Sequence, residues 1–559
     1  MPSMKAFATT TTIALAASVF TGLAAAGYGH SDDACTALAT LLPESQILYP
    51  SSLAYNSSNT YWSTRQSDLS PTCFVLPSNS SEVSLVLTTL LRLKTPFSVK
   101  GGGHTAFTGG SNIDSDGDSI AGSGSSSNST FTSKGGSRAD DGVTIDLSLL
   151  NTITLSNPST TENTTTVVSV GPGTRWIDIS LLLDPLGLAV VAGRVSDVGV
   201  PGLVLGGGIS YFSGLYGWAC DNILSYEVVL PSGSIVVASP SSRPDLYRAL
   251  RGGGGSNFGI VTRFDLFAFP QGDLWSQSLI FPDAVVSSLF LPLYVDLVTS
   301  DLPSDGAAHT FFAYTYISAL GGYSGITNFY HATQYLSPSP LSTIPAAFSP
   351  FQSLPSLVNA TSLENITTRS LEIREEYGHR QTWWDATFLL SPPGGNPSSS
   401  QLLTDVIPLF RSLVSAMNSS SLTTAAADGV APEVTSFLVF QPLAVNTLRA
   451  MQKNGGNILG LAEDDGALMM MQLSSTWDSQ SLDSLVEEET QKTLGEIKSM
   501  AEERGLLHRF QYMNYAGKSQ DVFSGYGEDS ARELKKVARK YDERRELQRY
   551  WKGYFQVGY

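Results

Sequence analysis

Phe97-Ser98-Val99-Lys100-Gly101-Gly102-Gly103-His104 runs from a short alternating segment straight into three glycines and a histidine. The first four residues have the period of a strand, and the glycines open its end into a tight turn. Glycine is entropically costly to order. A run of it marks a place where backbone passes close to something bulky or turns with positive φ. Upstream, Thr72-Cys73-Phe74-Val75 predicts a strand, and Ser81 to Leu93 an amphipathic helix capped by Ser81 or Ser80. Downstream, Val143 to Leu147 predicts a strand returning to the core. On its chemistry alone, His104 is either a site residue free to approach a ligand or a hydrogen-bonding structural histidine.

The polar run between them, Ser111 to Gly142, is nearly all Ser, Gly, Asp and Asn and predicts a surface insertion. Further strands are expected at Val167 to Val170, and at Tyr226 to Leu230 paired with Ser234 to Ala238 as a hairpin. Helices are expected at Trp176 to Leu183 and Pro244 to Leu250. Gly199, Gly202, Gly206, Gly207, Gly208, Gly214 and Gly217 form a second dense glycine region. Near Pro270 the texture changes to longer segments with more aromatics. Asp529 to Trp551 predicts one helix with a solvated charged face.

The chain has 559 residues with 42% hydrophobic residues, enough for two domains or one enlarged α+β assembly. Its 50 acidic residues against 33 Lys plus Arg give a formal charge of −17, a field that repels nucleic acid and anionic lipid. Residues 1–26 combine Lys5, an apolar stretch and Ala24-Ala25-Ala26, the pattern of an export signal cut after Ala26. A membrane anchor is disfavoured because the run from Ile13 to Ala26 is short of the roughly 20 residues a span needs, and no other segment is long and apolar enough. Seven acceptor triplets, at Asn56, Asn79, Asn128, Asn163, Asn359, Asn365 and Asn418, agree with export and are expected at the surface if glycosylated. Of three cysteines, Cys35 and Cys73 are the natural pair, fastening an otherwise loose N-terminal segment, and Cys220 is left as a small buried thiol.

Several chemistries find no support. No Gly-x-Gly-x-x-Gly fingerprint sits between a strand and a helix with a following acid, and no phosphate loop occurs. The six histidines show no paired metal-ligand spacing, so no metal is expected. A Gly-x-Ser-x-Gly elbow is lacking. Trp383-Trp384-Asp385 is either a stacking platform with a polar acceptor or part of a core strand.

With these motifs in order, the chain resembles the berberine-bridge-enzyme-like branch of the vanillyl-alcohol-oxidase superfamily, with a p-cresol-methylhydroxylase-type FAD domain. Lys100 to Ala106 looks like the family loop whose histidine bonds the flavin 8α-methyl. Val143 to Leu150, Gly171 to Trp176, Ala219 to Asn222 and Ala249 to Val261 match in sequence, and Tyr512-Met513-Asn514-Tyr515 resembles a Tyr-x-Asn-Tyr signature. The resemblance implies an α+β fold: a two-part FAD-binding domain plus an α+β substrate domain with an antiparallel sheet. It divides the chain into residues 1–26 as signal, 27–69 as an N-terminal segment, 70–270 as the FAD-binding domain, 271–505 as the substrate domain, and 506–559 as a C-terminal segment returning to the FAD domain.

The same resemblance implies FAD attached to His104 and lined by Gly101, Gly102, Gly103, Thr105, Ala106, Asp197, Val198, Gly199, Gly206, Gly207, Ile260, Tyr512 and Asn514. Bicovalent members carry cysteine where this chain has Val195, which implies histidyl attachment only. Tyr515 is the implied base, taking a hydroxyl proton as hydride passes to flavin N5. A free phenol ionises near pH 10, so a helper would be needed, and the sequence does not identify one. The expected activity is secreted, extracellular oxidation of an alcohol or carbohydrate-like small molecule, with O2 reduced to hydrogen peroxide. Alternatives are a flavin-dependent dehydrogenase or oxidative cyclase of secondary metabolism, and a non-catalytic flavin-carrying binding protein. Oligomeric state is not legible.

Overall fold

The structure, a computed structural model, describes residues 31–113, 142–156, 166–332, 343–390, 399–419 and 433–558. The export signal, the acceptors Asn128 and Asn163, and residues 114–141 of the polar run lie outside the described residues.

Three sheets follow one another along the chain. The first joins β1 (Ile47–Leu48), β2 (Cys73–Val75), β3 (Phe97–Lys100) and β4 (Val143–Asp146) in the order β1-β2-β4-β3. β2 and β3 both run parallel to β4. Parallel strands need a crossover, and helix Ser80–Leu93 supplies it between β2 and β3. That helix buries Val83, Val86, Leu87, Leu90 and Leu91, an apolar stripe at helical spacing. Its cap is Asn79, whose side chain accepts from the Glu82 amide at 3.0 Å, one residue before the two serines expected from sequence.

The second sheet is antiparallel: β5 (Ile153–Ser156), β6 (Thr166–Val170), β10 (Ile260–Pro270), β8 (Ile223–Val229) and β9 (Ile235–Ala238), with β7 (Leu188–Val190) also on β10. The third has eight antiparallel strands in the order β14-β11-β13-β12-β16-β17-β15-β18. These are β11 (Leu274–Pro282), β12 (Ala308–Ile317), β13 (Gly322–His331), β14 (Val358–Glu364), β15 (Arg380–Leu389), β16 (Val434–Leu443), β17 (Leu468–Trp477) and β18 (Leu507–His508). Helical segments Asp283–Ser304, Ser399–Met417 and Asp483–Glu503 bury their apolar residues against one face of it. This is the mixed α+β architecture that the resemblance implied.

Several expectations need correction. Asp283–Ser304 is, by length and composition, long and apolar enough to cross a membrane. Its Val286, Phe290, Leu291, Tyr294, Leu297 and Val298 are nevertheless core residues of the third sheet. The segment before Ser70 is not loose. Cys35 and Cys73 are disulfide-bonded, β1 pairs with β2, and Tyr61 and Trp62 are buried. Ser111 and Asn112, the start of the polar run, are also buried, with Asn112 bonded to Asn59, the Gln66 carbonyl and Thr144. The C-terminal helix is two helices, Glu528–Tyr541 and Glu546–Tyr550. Asp542 leaves the helical conformation and caps the second with its carboxylate, accepting from the Glu546 and Leu547 amides. Asn56, Asn79, Asn359 and Asn365 are exposed. Asn418 is not: it is 2% exposed, and its amide bonds the backbone of Val414 and Val434. It presents no surface for a glycan.

Candidate active site

A cavity of about 670 Å³ lies where the three sheets and the C-terminal segment meet. Its size is in the range of small-molecule and cofactor sites. Part of the lining comes from the loop after β3, Gly101 to Phe107, from the segment before and into helix Val200–Leu205, with Arg194, Val195, Val198, Gly199 and Leu203, and from Ile260. Another part is the open face of the third sheet. Phe311, Ala313, Ile326, Asn328, Trp383, Phe437, Val439, Gln472 and Ser474 reach it from β12, β13, β15, β16 and β17. Their intervening neighbours Phe312, Leu438, Met471 and Leu473 are buried in the opposite core.

The glycines of the histidine loop line the cavity and also let two loops meet closely. A Cβ on Gly102 would stand 2.5 Å from the Cα and N of Gly199, and one on Gly101 would stand 2.5 Å from Pro201 Cγ. The two loops therefore touch backbone to backbone. Gly103 has φ +70°, a left-handed conformation that glycine adopts without strain.

His104 is held by packing. Trp62 stacks on its ring at 4.1 Å between centroids and 11° between planes. Its side chain is 7% exposed, and neither ring nitrogen has a hydrogen-bond partner among the described residues. Glu375 Oε2 stands 3.5 Å from His104 Nε2. Two buried ring nitrogens without a hydrogen bond are costly without a ligand, so the loop fits a group that bonds the imidazole.

From the segment before helix Val200–Leu205, Arg194 Nη2 donates to Tyr515 Oη at 3.0 Å, and Nη1 to His309 Nε2 at 3.3 Å. Burial and the arginine's charge hold the His309 imidazole well below the ordinary range, so it is the neutral acceptor of this bond. Burial pushes the Tyr515 phenol above its usual value, and Arg194 pulls against it. Trp383 meets the Tyr515 ring edge-on at 5.8 Å. The Trp pair is thus divided: Trp383 lines the cavity, whereas Trp384 is buried with Nε1 bonded to Thr382 and Glu487.

Tyr512 and Asn514 tie this turn to the second glycine region. Tyr512 Oη accepts from the Gly208 amide at 3.1 Å and from Asn514 Nδ2 at 3.0 Å, while Asn514 Nδ2 also reaches the Leu203 carbonyl at 3.0 Å. From below, Asp385 Oδ2 accepts from the Tyr512 amide at 2.7 Å. Asp385 is fully buried, which raises its carboxyl to about 7.

Of the residues anticipated from sequence, Gly101, Gly102, Gly103, His104, Thr105, Ala106, Val198, Gly199, Ile260, Tyr512, Asn514 and Tyr515 line this one cavity. Asp197, Gly206 and Gly207 do not. Asp197 pairs with Arg374 at 2.5 Å, Gly206 packs on Asn514, and Gly207 on the Trp218 ring. The sequence reading missed Trp62, Arg194, His309 and Glu375. Arg194 stands in the same short stretch as Val195 and Asp197, but a single arginine there carries no signal of the tyrosine it meets.

Residues 118–239 match a family model described as FAD binding domain. The FAD-dependent monooxygenase tpcD of Cochliobolus heterostrophus is 33% identical over 529 residues, covering 92% of each chain. The fold is shared with Physcomitrella patens BBE-like 1, at TM-score 0.68 and 16% identity over 94% of this chain and 98% of that one. It is also shared with glucooligosaccharide oxidase from Acremonium strictum, described with 6-S-cysteinyl, 8α-N1-histidyl FAD, at TM-score 0.66 and 16% identity over 92% and 97%.

Proposed function

The chain belongs to the family of the FAD-dependent monooxygenase tpcD and has the fold of berberine-bridge-enzyme-like proteins, and we propose that it is an exported oxidase acting on an alcohol or carbohydrate-like carbon, with FAD bonded to His104 alone. When bound, FAD supplies the hydride acceptor and passes the electrons to O2, giving hydrogen peroxide. His104 supports the attachment because its ring is stacked on Trp62 and neither nitrogen has a hydrogen-bond partner among the described residues. Val195 lines the same cavity with no nucleophilic atom, which leaves no thioether tether there. The Cys35–Cys73 bridge supports export, since disulfides persist in oxidising compartments.

The observation that carries the catalytic reading is the 3.0 Å bond from Arg194 to Tyr515 Oη. An alcohol that becomes a carbonyl must lose its hydroxyl proton, and in this reading Tyr515 Oη takes it. A buried phenolate is expensive; the guanidinium facing it offsets part of that cost. Tyr512 and Asn514 fix the turn, and Trp383 limits where the substrate lies.

A second reading has its own observation. Phe311, Ile326, Phe437 and Val439 offer an apolar surface suited to a flat aromatic molecule, with only Asn328, Gln472 and Ser474 beside them on the sheet for a sugar's hydroxyls. This favours a dehydrogenase or oxidative cyclase of secondary metabolism, and the name of the Cochliobolus relative adds oxygen insertion to the possible outcomes. Turnover on sugars, primary alcohols and phenolic alcohols separates them, with O2 uptake, peroxide and 18O incorporation measured together. Peroxide equal to O2 consumed supports the oxidase; turnover with an artificial acceptor alone supports the dehydrogenase; label in the product supports a monooxygenase.

A further inference from the structure

Resting on the reading that His104 bonds FAD, we infer that Glu375 is the general base of that attachment. The segment following helix Ile366–Glu372 carries several polar side chains, most of them engaged with protein partners. Arg374 pairs with Asp197, and Tyr377 accepts from Arg175 at 2.6 Å. Glu375 differs. Its side chain is 43% exposed, yet Oε2 is turned inward, buried, and without a hydrogen-bond partner among the described residues. A carboxylate oxygen stripped of both water and donors is unfavourable unless something in the cavity answers it. The nearest candidate is His104 Nε2, 3.5 Å away.

The arrangement assigns the two imidazole nitrogens different tasks. Trp62 fixes the ring plane, and the Nε2 edge faces the carboxylate, so Nδ1 is the nitrogen left to form the new bond. As the Nδ1 lone pair bonds the flavin 8α carbon, the ring would become a cation buried against an indole. Transfer of the Nε2 proton to Glu375 keeps it neutral. In the balance, the methyl C–H loses its proton to solvent and the imidazole N–H loses its proton to Glu375, one N–C bond is made, and two protons and two electrons are released. The electron pair released passes through the flavin ring to O2, which leaves as hydrogen peroxide. Glu375 does not need to touch the substrate for this role, and its carboxylate is regenerated by losing the proton to solvent through its exposed side.

The test compares wild type, E375Q, E375D and H104A, each as the full chain. Each protein is denatured and the flavin retained on the polypeptide is measured by mass and by in-gel fluorescence. Flavin absorbance before denaturation reports noncovalent binding and folding. The expected result is covalent flavin in wild type, none in H104A, and at least tenfold less in E375Q, whose bound flavin is released on denaturation. E375D, which keeps a carboxylate on a shorter stem, should recover attachment in part during incubation with added FAD. Equal covalent loading of E375Q and wild type would overturn the role of Glu375 and leave the histidyl bond standing. Should E375Q fail to fold, E375D decides: loss of attachment equal to H104A would overturn the proposal. Complete release of flavin from denatured wild type would overturn both readings.

Discussion

Arg194 and Tyr515, 321 positions apart in sequence, meet at 3.0 Å with the guanidinium donating to the phenol oxygen. The pair sets two opposed influences on one proton: burial raises the phenol's pKa and the adjacent cation lowers it, with burial the larger.

Replacing Tyr515 by Phe keeps the ring against Trp383 and removes the oxygen. Flavin content should be unchanged, and anaerobic flavin reduction by the substrate should slow by roughly 10²–10⁴-fold, the usual worth of a general base. Stopped-flow absorbance measures both. An unaltered rate would remove Tyr515 from proton transfer.

Arg194→Met should act in the same direction through pH. Without the cation the phenol ionises at still higher pH, so the limb of the rate profile that depends on tyrosinate moves upward and the rate near neutrality falls. A profile identical to that of wild type would show that Arg194 only packs.

Gly102→Ala tests the contact between the two loops. A methyl 2.5 Å from the Gly199 backbone has no flexible neighbour to displace, so the loops must separate, at a cost of about 1–3 kcal/mol. A lower Tm together with weaker flavin retention in an H104A background is the expected result. An unchanged Tm would mean that the loops part freely.

The Cys35–Cys73 bridge closes a separation of 38 residues. Its replacement by two serines should cost about 3–4 kcal/mol in the chain-entropy treatment. Trp62 lies inside the loop so closed, so the flavin environment at His104 should loosen as well. Chemical denaturation and flavin fluorescence quenching measure the two effects.

Asp385 makes stability depend on pH in a defined direction. Its carboxyl ionises near 3.8 ordinarily and at about 7 in the fold, so between these values the folded chain binds the extra proton. Its contribution is full below about pH 4 and is lost as pH rises through about 7. Asp385→Asn keeps the size and an oxygen for the Tyr512 amide, and should flatten that decline in a Tm series from pH 4 to 8. A slope equal to wild type would place the pH dependence elsewhere.

The parts of this site legible in the sequence are those written in backbone. The β3 strand running into Gly101, Gly102, Gly103 and His104 declares itself because period and glycine content are local, and Val195 could be placed because it sits in a recognisable stretch. Arg194, His309, Glu375 and Trp62 could not be grouped. Each is a single side chain whose meaning comes from the meeting of β12, the 372–380 segment and the N-terminal loop, and no spacing records that meeting. Local signals also misled. The charged run at residues 529–551 has the composition of one helix, but Asp542 is buried and its carboxylate begins a second one.

The alternation along β12, β13, β16 and β17 also describes how this enzyme could be re-engineered. Positions 311 and 313, 326 and 328, 437 and 439, and 472 and 474 address the cavity in pairs, while their neighbours address the helices behind. A combinatorial library confined to those eight codons would vary the wall of the cavity without touching either glycine loop. The same diversity placed one residue along would be spent on unfolded protein.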